Sequence, residues 1–171
     1  MASSLKNLST YDENQIPDLS SYHFGIVVAD WNEHITHALY QGALDTILKH
    51  GGNEAQIHVI QVPGAFELTQ GCRHLITNHK LDAVIGLGCV IKGETSHNEY
   101  INQAVAQGLT NLGLTSGIPC IFGLLTPNDE QQALDRAGGK YGNKGVEAAI
   151  TAIRMAELKR NSKVKQSKIG F

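Results

Sequence analysis

The stretch LDAVIGLGCVIKGETSHNEYI, residues 81–101, joins two patterns. Its first eleven residues are apolar at nearly every position, with glycines at 86 and 88. A run of that length without polar alternation reads as a strand buried on both faces. At Lys92 the chain turns polar, and apolar residues then return at helical spacing. Ile101, Val105, Leu109 and Leu112 lie on one side of the run 94–117. A buried strand leading straight into an amphipathic helix is half of a βαβ unit. The residues between them, Lys92 to His97, stand at the carboxyl end of the strand, where open parallel sheets bind ligands.

The same grammar runs through the rest of the chain. HFGIVVADW (23–31), AQIHVIQV (55–62) and IPCIFGLLT (118–126) read as further buried strands. NEHITHALYQGALDTILKHGG (32–52) carries Ile35, Ala38, Leu39, Ala43 and Ile47 on one helical face and stops at Gly51-Gly52. AFELTQGCRHLITNHK (65–80) reads as a second helix. PNDEQQALDRAGG (127–139) reads as a short one opened by Pro127 or Asn128. NKGVEAAITAIRMAELKR (143–160) reads as the last, with Val146, Ala149, Ile150 and Ile153 as its buried stripe. The order βαβαβαβαα predicts an α/β fold: a three-layer αβα sandwich, flavodoxin-like, with a four-stranded parallel sheet flanked by helices. No repeat or linker interrupts it. The expected division is a polar N-terminal arm over 1–21, a single domain over 22–158 and a basic tail over 159–171.

Composition narrows the function. A net charge of −2 gives no basic field for nucleic acid, and no apolar run approaches the ~20 residues that span a bilayer. Cys72, Cys89 and Cys120 are widely spaced and include no C-x-x-C pair. They imply neither a disulfide framework nor a zinc site, and point to a reduced, cytoplasmic protein. The tail's Lys159, Arg160, Lys163, Lys165 and Lys168, with no acid among them, read as a solvated end.

Candidate chemistry gathers at the strand ends. Trp31 can stack on a flat ring or simply cap the surface. Phe66 and Phe122 sit at other strand ends. GETSH opens a helix that Thr95 or Ser96 can cap, and its free N–H groups can hold an anion such as phosphate. His97, in the first turn, would carry protons beside that anion. Arg136 and Lys140 lie in a glycine-rich turn that either binds an anion or is merely solvated. Lys92 reads as a Schiff-base lysine or as a second positive group.

Four segments together are more specific than any one of them. VPGAFEL (62–68), GCVIKGETSHNEYI (88–101), PCIFGLLT (119–126) and DRAGGKYGNKGVEAAITAIRMA (135–156), in this order and spacing, resemble the lumazine synthase family over about residues 22–158. The resemblance implies condensation of 5-amino-6-(D-ribitylamino)uracil with 3,4-dihydroxy-2-butanone 4-phosphate, in the penultimate step of riboflavin biosynthesis. It implies no metal and no organic cofactor.

By position, Trp31 matches the aromatic that stacks on the pyrimidine. Ala65, Phe66 and Glu67 match the segment lining ring and ribityl chain. Cys89, Val90 and Ile91 match the strand edge whose backbone reads the ring. Glu94 and Thr95 match the phosphate-side turn, and His97 the proton carrier. Phe122 matches an aromatic supplied by a neighbouring subunit, and Arg136 the arginine that pairs with phosphate. The chain departs from the family's commoner residues at Trp31 (often Phe), Cys89 (often Thr or Ala), Lys92 (often Arg) and Asn98 (often aromatic).

The resemblance also implies a homo-oligomer, with sites between adjacent subunits of a pentamer. The uninterrupted GGKYGNKG at 138–145 favours an icosahedral shell of pentamers, and riboflavin synthase is the candidate protein partner. The rival readings are an archaeal-type riboflavin synthase and a non-catalytic flavin-binding or shell-forming protein on the same fold.

Overall fold

The computed structural model describes residues 7–166, with side chains to residue 162. The chain runs β1 (Phe24–Ala29), α1 (Glu33–Lys49), β2 (Ile57–Val62), α2 (Leu68–Asn78), β3 (Ala83–Cys89), α3 (His97–Ser116), β4 (Cys120–Leu125), α4 (Glu130–Asp135), β5 (Ala137–Gly139), β6 (Gly142–Asn143) and α5 (Lys144–Gln166). β1 to β4 form an all-parallel sheet in the order β2-β1-β3-β4, as the strand–helix alternation predicts. The chain leaves β1 for β2 on one side and returns to β3 on the other. The switch point therefore lies between the carboxyl ends of β1 and β3.

Side-chain alternation divides the core in two. Phe24, Ile26 and Val28 of β1, with Ala83, Ile85 and Leu87 of β3, pack under α1 and α5. Val27 and Ala29 of β1 and Val84 of β3 pack under α2 and α3 with Leu68, Leu75, Val105 and Leu109. Glycine serves close approach here. A Cβ at Gly88 would lie 2.8 Å from Leu124 Cδ1 and 3.0 Å from Leu68 Cδ1, so α2 could not sit so near the sheet.

Several elements differ from expectation. β2 is only half-buried, because it is an edge strand with one neighbour, and Val59 is exposed. The second helix begins with a separate 3-10 turn, Ala65–Glu67. α4 starts at neither Pro127 nor Asn128: Asp129 caps it, its Oδ1 accepting the Gln132 N–H at 2.8 Å. The glycine-rich turn is an antiparallel hairpin, β5–β6.

Both flanks pack on the body. In the arm, Leu19 is buried, Tyr11 Oη meets His50 Nε2 at 3.0 Å, and the Leu8 N–H donates to Tyr141 O at 2.7 Å. α5 continues through Lys159 and Arg160. Lys159 Nζ donates to Leu81 O at 3.1 Å, and Arg160 pairs with Asp82. The side chains of Lys163 and Lys165, and all of Lys168, lie outside the described residues.

Candidate active site

Three connections shape the carboxyl end of the sheet. After β1 the Asp30 N–H donates to Val62 O at 2.8 Å and the Trp31 N–H to Pro63 O at 3.2 Å. Asn32 then adopts the left-handed conformation, φ 62° and ψ 46°, and its Nδ2 donates to Cys89 O at 2.9 Å. Asparagine is among the few residues that accept this geometry readily. The turn reverses the chain into α1 and ties the ends of β1, β2 and β3 together, leaving the Trp31 side chain 73% exposed.

After β2, the 3-10 turn places Ala65 inward and Phe66 outward, 61% exposed. After β3 the chain stays extended. The Val90 N–H donates to Leu125 O at 2.9 Å and the Lys92 N–H to Pro127 O at 3.0 Å, which fixes the peptide edge over residues 89–92.

α3 starts at His97 with Ser96 as its cap residue, yet no side chain accepts from its first turn. Neither Thr95 nor Ser96 therefore acts as a side-chain cap. The opening N–H groups carry the positive end of a 20-residue helix.

These connections enclose a cleft of about 750 Å³, within the size range of small-molecule sites. Trp31, Ala65, Phe66, Glu67, Cys89, Val90, Ile91, Thr95 and His97 all line it. Most of the walls are apolar, with Glu67, Thr95 and His97 as polar points.

Asn32, Tyr100 and Ile101 also line the cleft and are not among the site residues expected from sequence; Asn98, one of the departures from the family's commoner residues, lines it too. Helical spacing offers a signal for two of them, since Tyr100 and Ile101 fall three and four places after His97. Tyr100 is 72% exposed, so its ring is available to a ligand. Asn98 Oδ1 is buried without a hydrogen-bond partner.

Three expected residues lie outside the wall. Glu94 is exposed on the turn before α3. Phe122 is on edge strand β4, partnered in register with Gly86. Arg136 ends α4, with Nη1 donating to Gln132 O at 3.2 Å.

Burial pushes the Cys89 thiol up to about 12 and the Cys120 thiol up to about 11, so both stay protonated at neutral pH and neither supplies a thiolate. Lys92 is exposed and outside the cleft wall, without the apolar surroundings that activate a Schiff-base lysine. No described helix is long and apolar enough to cross a membrane, and no described group of three or more His, Cys, Asp or Glu is arranged to hold a metal ion.

The cleft therefore offers exposed aromatic faces, a peptide edge and a histidine at the start of a helix. Residues 21–160 match the family model of 6,7-dimethyl-8-ribityllumazine synthase. The chain is similar to proteins of that name from several bacteria. That of Parabacteroides distasonis is 54% identical over 158 residues, 92% of this chain and 99% of that protein. That of Cytophaga hutchinsonii is 55% identical over 155 residues, 91% and 97%. That of Flavobacterium psychrophilum is 48% identical over 171 residues, 100% and 88%. Because the matched region spans every segment that builds the cleft, the conclusion extends to the site's scaffold: the chain belongs to the 6,7-dimethyl-8-ribityllumazine synthase family.

Proposed function

We propose that this chain makes 6,7-dimethyl-8-ribityllumazine from 5-amino-6-(D-ribitylamino)uracil and 3,4-dihydroxy-2-butanone 4-phosphate, releasing water and inorganic phosphate, in the penultimate step of riboflavin biosynthesis. The observation that carries this reading is the gathering of Trp31, Phe66, the Cys89–Ile91 peptide edge and His97 around one cleft in a chain of that family.

In this reading the residues divide the labour as the resemblance implies. Trp31 and Phe66 offer exposed faces for stacking on the pyrimidine. Backbone groups of Cys89, Val90 and Ile91 read its edge, and Ala65 and Glu67 line the ribityl chain, where the carboxylate accepts from hydroxyls. The turn at Glu94 and Thr95 and the start of α3 receive the phosphoryl group. Held this way, the ketone sits beside the ring's amine, and proximity supplies much of the acceleration. His97 moves protons as the imine forms, phosphate leaves and the second ring closes.

Phe122 and Arg136 do not reach the cleft of their own chain. In our reading an adjacent subunit presents both: Phe122 against the ring and Arg136 against the phosphate. A homo-oligomer is then required, and we take it to be a pentamer, further assembled into an icosahedral shell by the uninterrupted turn at 138–145. Light scattering gives shell-sized particles if this holds, and pentamer-sized ones if the turn does not have that effect. The cytoplasm is the proposed location, riboflavin synthase the proposed consumer of the product, and residues 22–158 the catalytic body between the arm (1–21) and the tail (159–171).

The test is direct. Purified protein is given both substrates while the fluorescent lumazine and free phosphate are followed together. Both should appear in step, above the uncatalysed background. Silence from a folded oligomer that still binds the pyrimidine would overturn the catalytic reading.

A further inference from the structure

Arg136 and Lys140 converge on one aromatic ring. The Arg136 guanidinium carbon lies 5.0 Å from the centroid of Tyr141, and Lys140 Nζ lies 5.2 Å from the same centroid. Both distances are within cation–π range. Among the described residues neither cation forms an ion pair, and the one hydrogen bond of the Arg136 guanidinium goes to Gln132 O. Two like charges gathered at one ring raise the local positive potential, which favours an anion nearby.

The backbone that carries the ring is held from both sides. Tyr141 sits in the turn of the β5–β6 hairpin, where its N–H donates to Asp135 O at 2.8 Å and its carbonyl accepts from the Leu8 N–H at 2.7 Å. Gly142 follows at φ 78°, packed against Asn7 and Ser9, and the Asn143 N–H donates to Ser9 Oγ at 2.9 Å. The Lys144 N–H returns to Arg136 O at 2.8 Å and closes the hairpin over the arginine's own backbone. The hairpin is thus braced by α4 on one side and by residues 7–9 of the arm on the other.

We infer that Tyr141 is a positioning residue for the phosphate subsite: its ring, carried on a backbone that the hairpin and the arm hold, keeps the Arg136 guanidinium and the Lys140 ammonium close by for a phosphoryl group. This rests on the reading of Arg136 as the phosphate-binding cation. The ring touches no substrate and acts only through the two cations.

Steady-state kinetics of the assembled full-length chain, with inorganic phosphate as a competing probe, test it. Tyr141→Ala should raise KM for the phosphorylated ketone and the inhibition constant for inorganic phosphate about 3- to 10-fold, the effect of losing a partly exposed cation–π contact. KM for the pyrimidine and kcat at saturation should stay near wild type. Tyr141→Phe, which keeps the ring, should behave as wild type. Tyr141→Ala should cost less on an Arg136→Ala background than in the wild type, because part of the ring's effect runs through the arginine and only the Lys140 part remains. If Tyr141→Ala does not assemble, Tyr141→Leu keeps bulk without a π face and carries the same expectations. Equal weakening of both substrates, loss of kcat alone, or full additivity with Arg136→Ala would overturn the inference. Should Arg136→Ala itself leave ketone KM and phosphate inhibition unchanged, the assignment of Arg136 fails first, and its failure is visible separately from that of Tyr141.

Discussion

The two ends of the sheet treat their charges in opposite ways. At the amino ends of the strands Arg160 donates from all three guanidinium nitrogens: Nε to Asp82 Oδ1 at 2.9 Å, Nη1 to Ser21 Oγ at 2.9 Å, and Nη2 to Asp82 Oδ2 and Ser21 O, both at 2.6 Å. It also lies 3.6 Å over the Tyr22 ring. Asp82 in turn accepts the His23 N–H at 2.9 Å. Around the carboxyl ends, His97 is exposed and Asn98 Oδ1 is buried without a partner, while Arg136, at the end of α4, makes one hydrogen bond through its guanidinium. Charges that hold a fold together have their partners within the chain. Charges meant for a ligand are kept short of them, and the local stability forgone is the cost of a binding site.

The contrast breaks most visibly at His97. Its side chain is exposed, so His97→Ala should leave the thermal midpoint unchanged while kcat falls roughly 10²- to 10⁴-fold. Wild-type turnover would remove it from the mechanism, and a large loss of stability would move it to the structural class. Arg136→Ala comes next. Loss of a charge-assisted contact to phosphate should raise KM for the ketone about 10- to 100-fold, with pyrimidine binding intact. Oligomers mixed from His97→Ala and Arg136→Ala chains sharpen the point. If a site takes His97 from one subunit and Arg136 from the next, some mixed sites are intact and activity partly returns. If both residues come from one subunit, no mixed site is intact and none returns.

At the closed end the signs reverse. Arg160→Ala should lower stability by roughly 2–3 kcal/mol, because it strips two hydrogen bonds from a half-buried carboxylate and two from Ser21. Turnover of the protein that remains folded should not change. Denaturant unfolding with parallel kinetics separates the two effects. A variant of full stability and low activity would erase the distinction between the ends.

Much of the scaffold was legible before any coordinates. The unbroken apolar run at 83–89 and the helical spacing after it required a buried parallel strand and its crossover, and both are present. Features missed from sequence are decided by a few atoms. Asp129 caps α4 because its own side chain reaches the Gln132 N–H, which Pro127 and Asn128 do not. The β5–β6 hairpin is three residues paired with two, mostly glycine, and too short to show alternation. The arm reads as polar, yet Leu19 seats it in the core and backbone hydrogen bonds secure other described parts of it.

At the site, motif and position single out Trp31, Phe66, the Cys89–Ile91 edge and His97, all of which line the cleft. The resemblance marks Phe122 as a neighbouring subunit's contribution, but nothing separates Arg136 from the residues of the cleft wall, because which side chains share a cavity depends on register and assembly. Nor did anything in the letters mark Asn32 as the left-handed residue that ties Cys89 to the start of α1.

The smallest effect tests the closed end through its histidines. His58 and His79 stack with ring centroids 3.7 Å apart, near the amino ends of the strands. Burial, and then the charges of His79 and His23, hold the His58 pKa below its ordinary 6.5. The folded state therefore takes up its proton less readily than the unfolded chain does. That stabilisation is fully present above pH 6.5 and is lost as pH falls below it, through the range down to the folded value. The thermal midpoint of the wild-type protein should decline gently on acidification across this window, before the carboxylates titrate. His58→Gln should flatten the decline without altering activity at neutral pH. A midpoint that rises on acidification would mean the stacked pair prefers a proton, and the closed end would then hold a group that its surroundings leave unsatisfied at neutral pH, as the open end does.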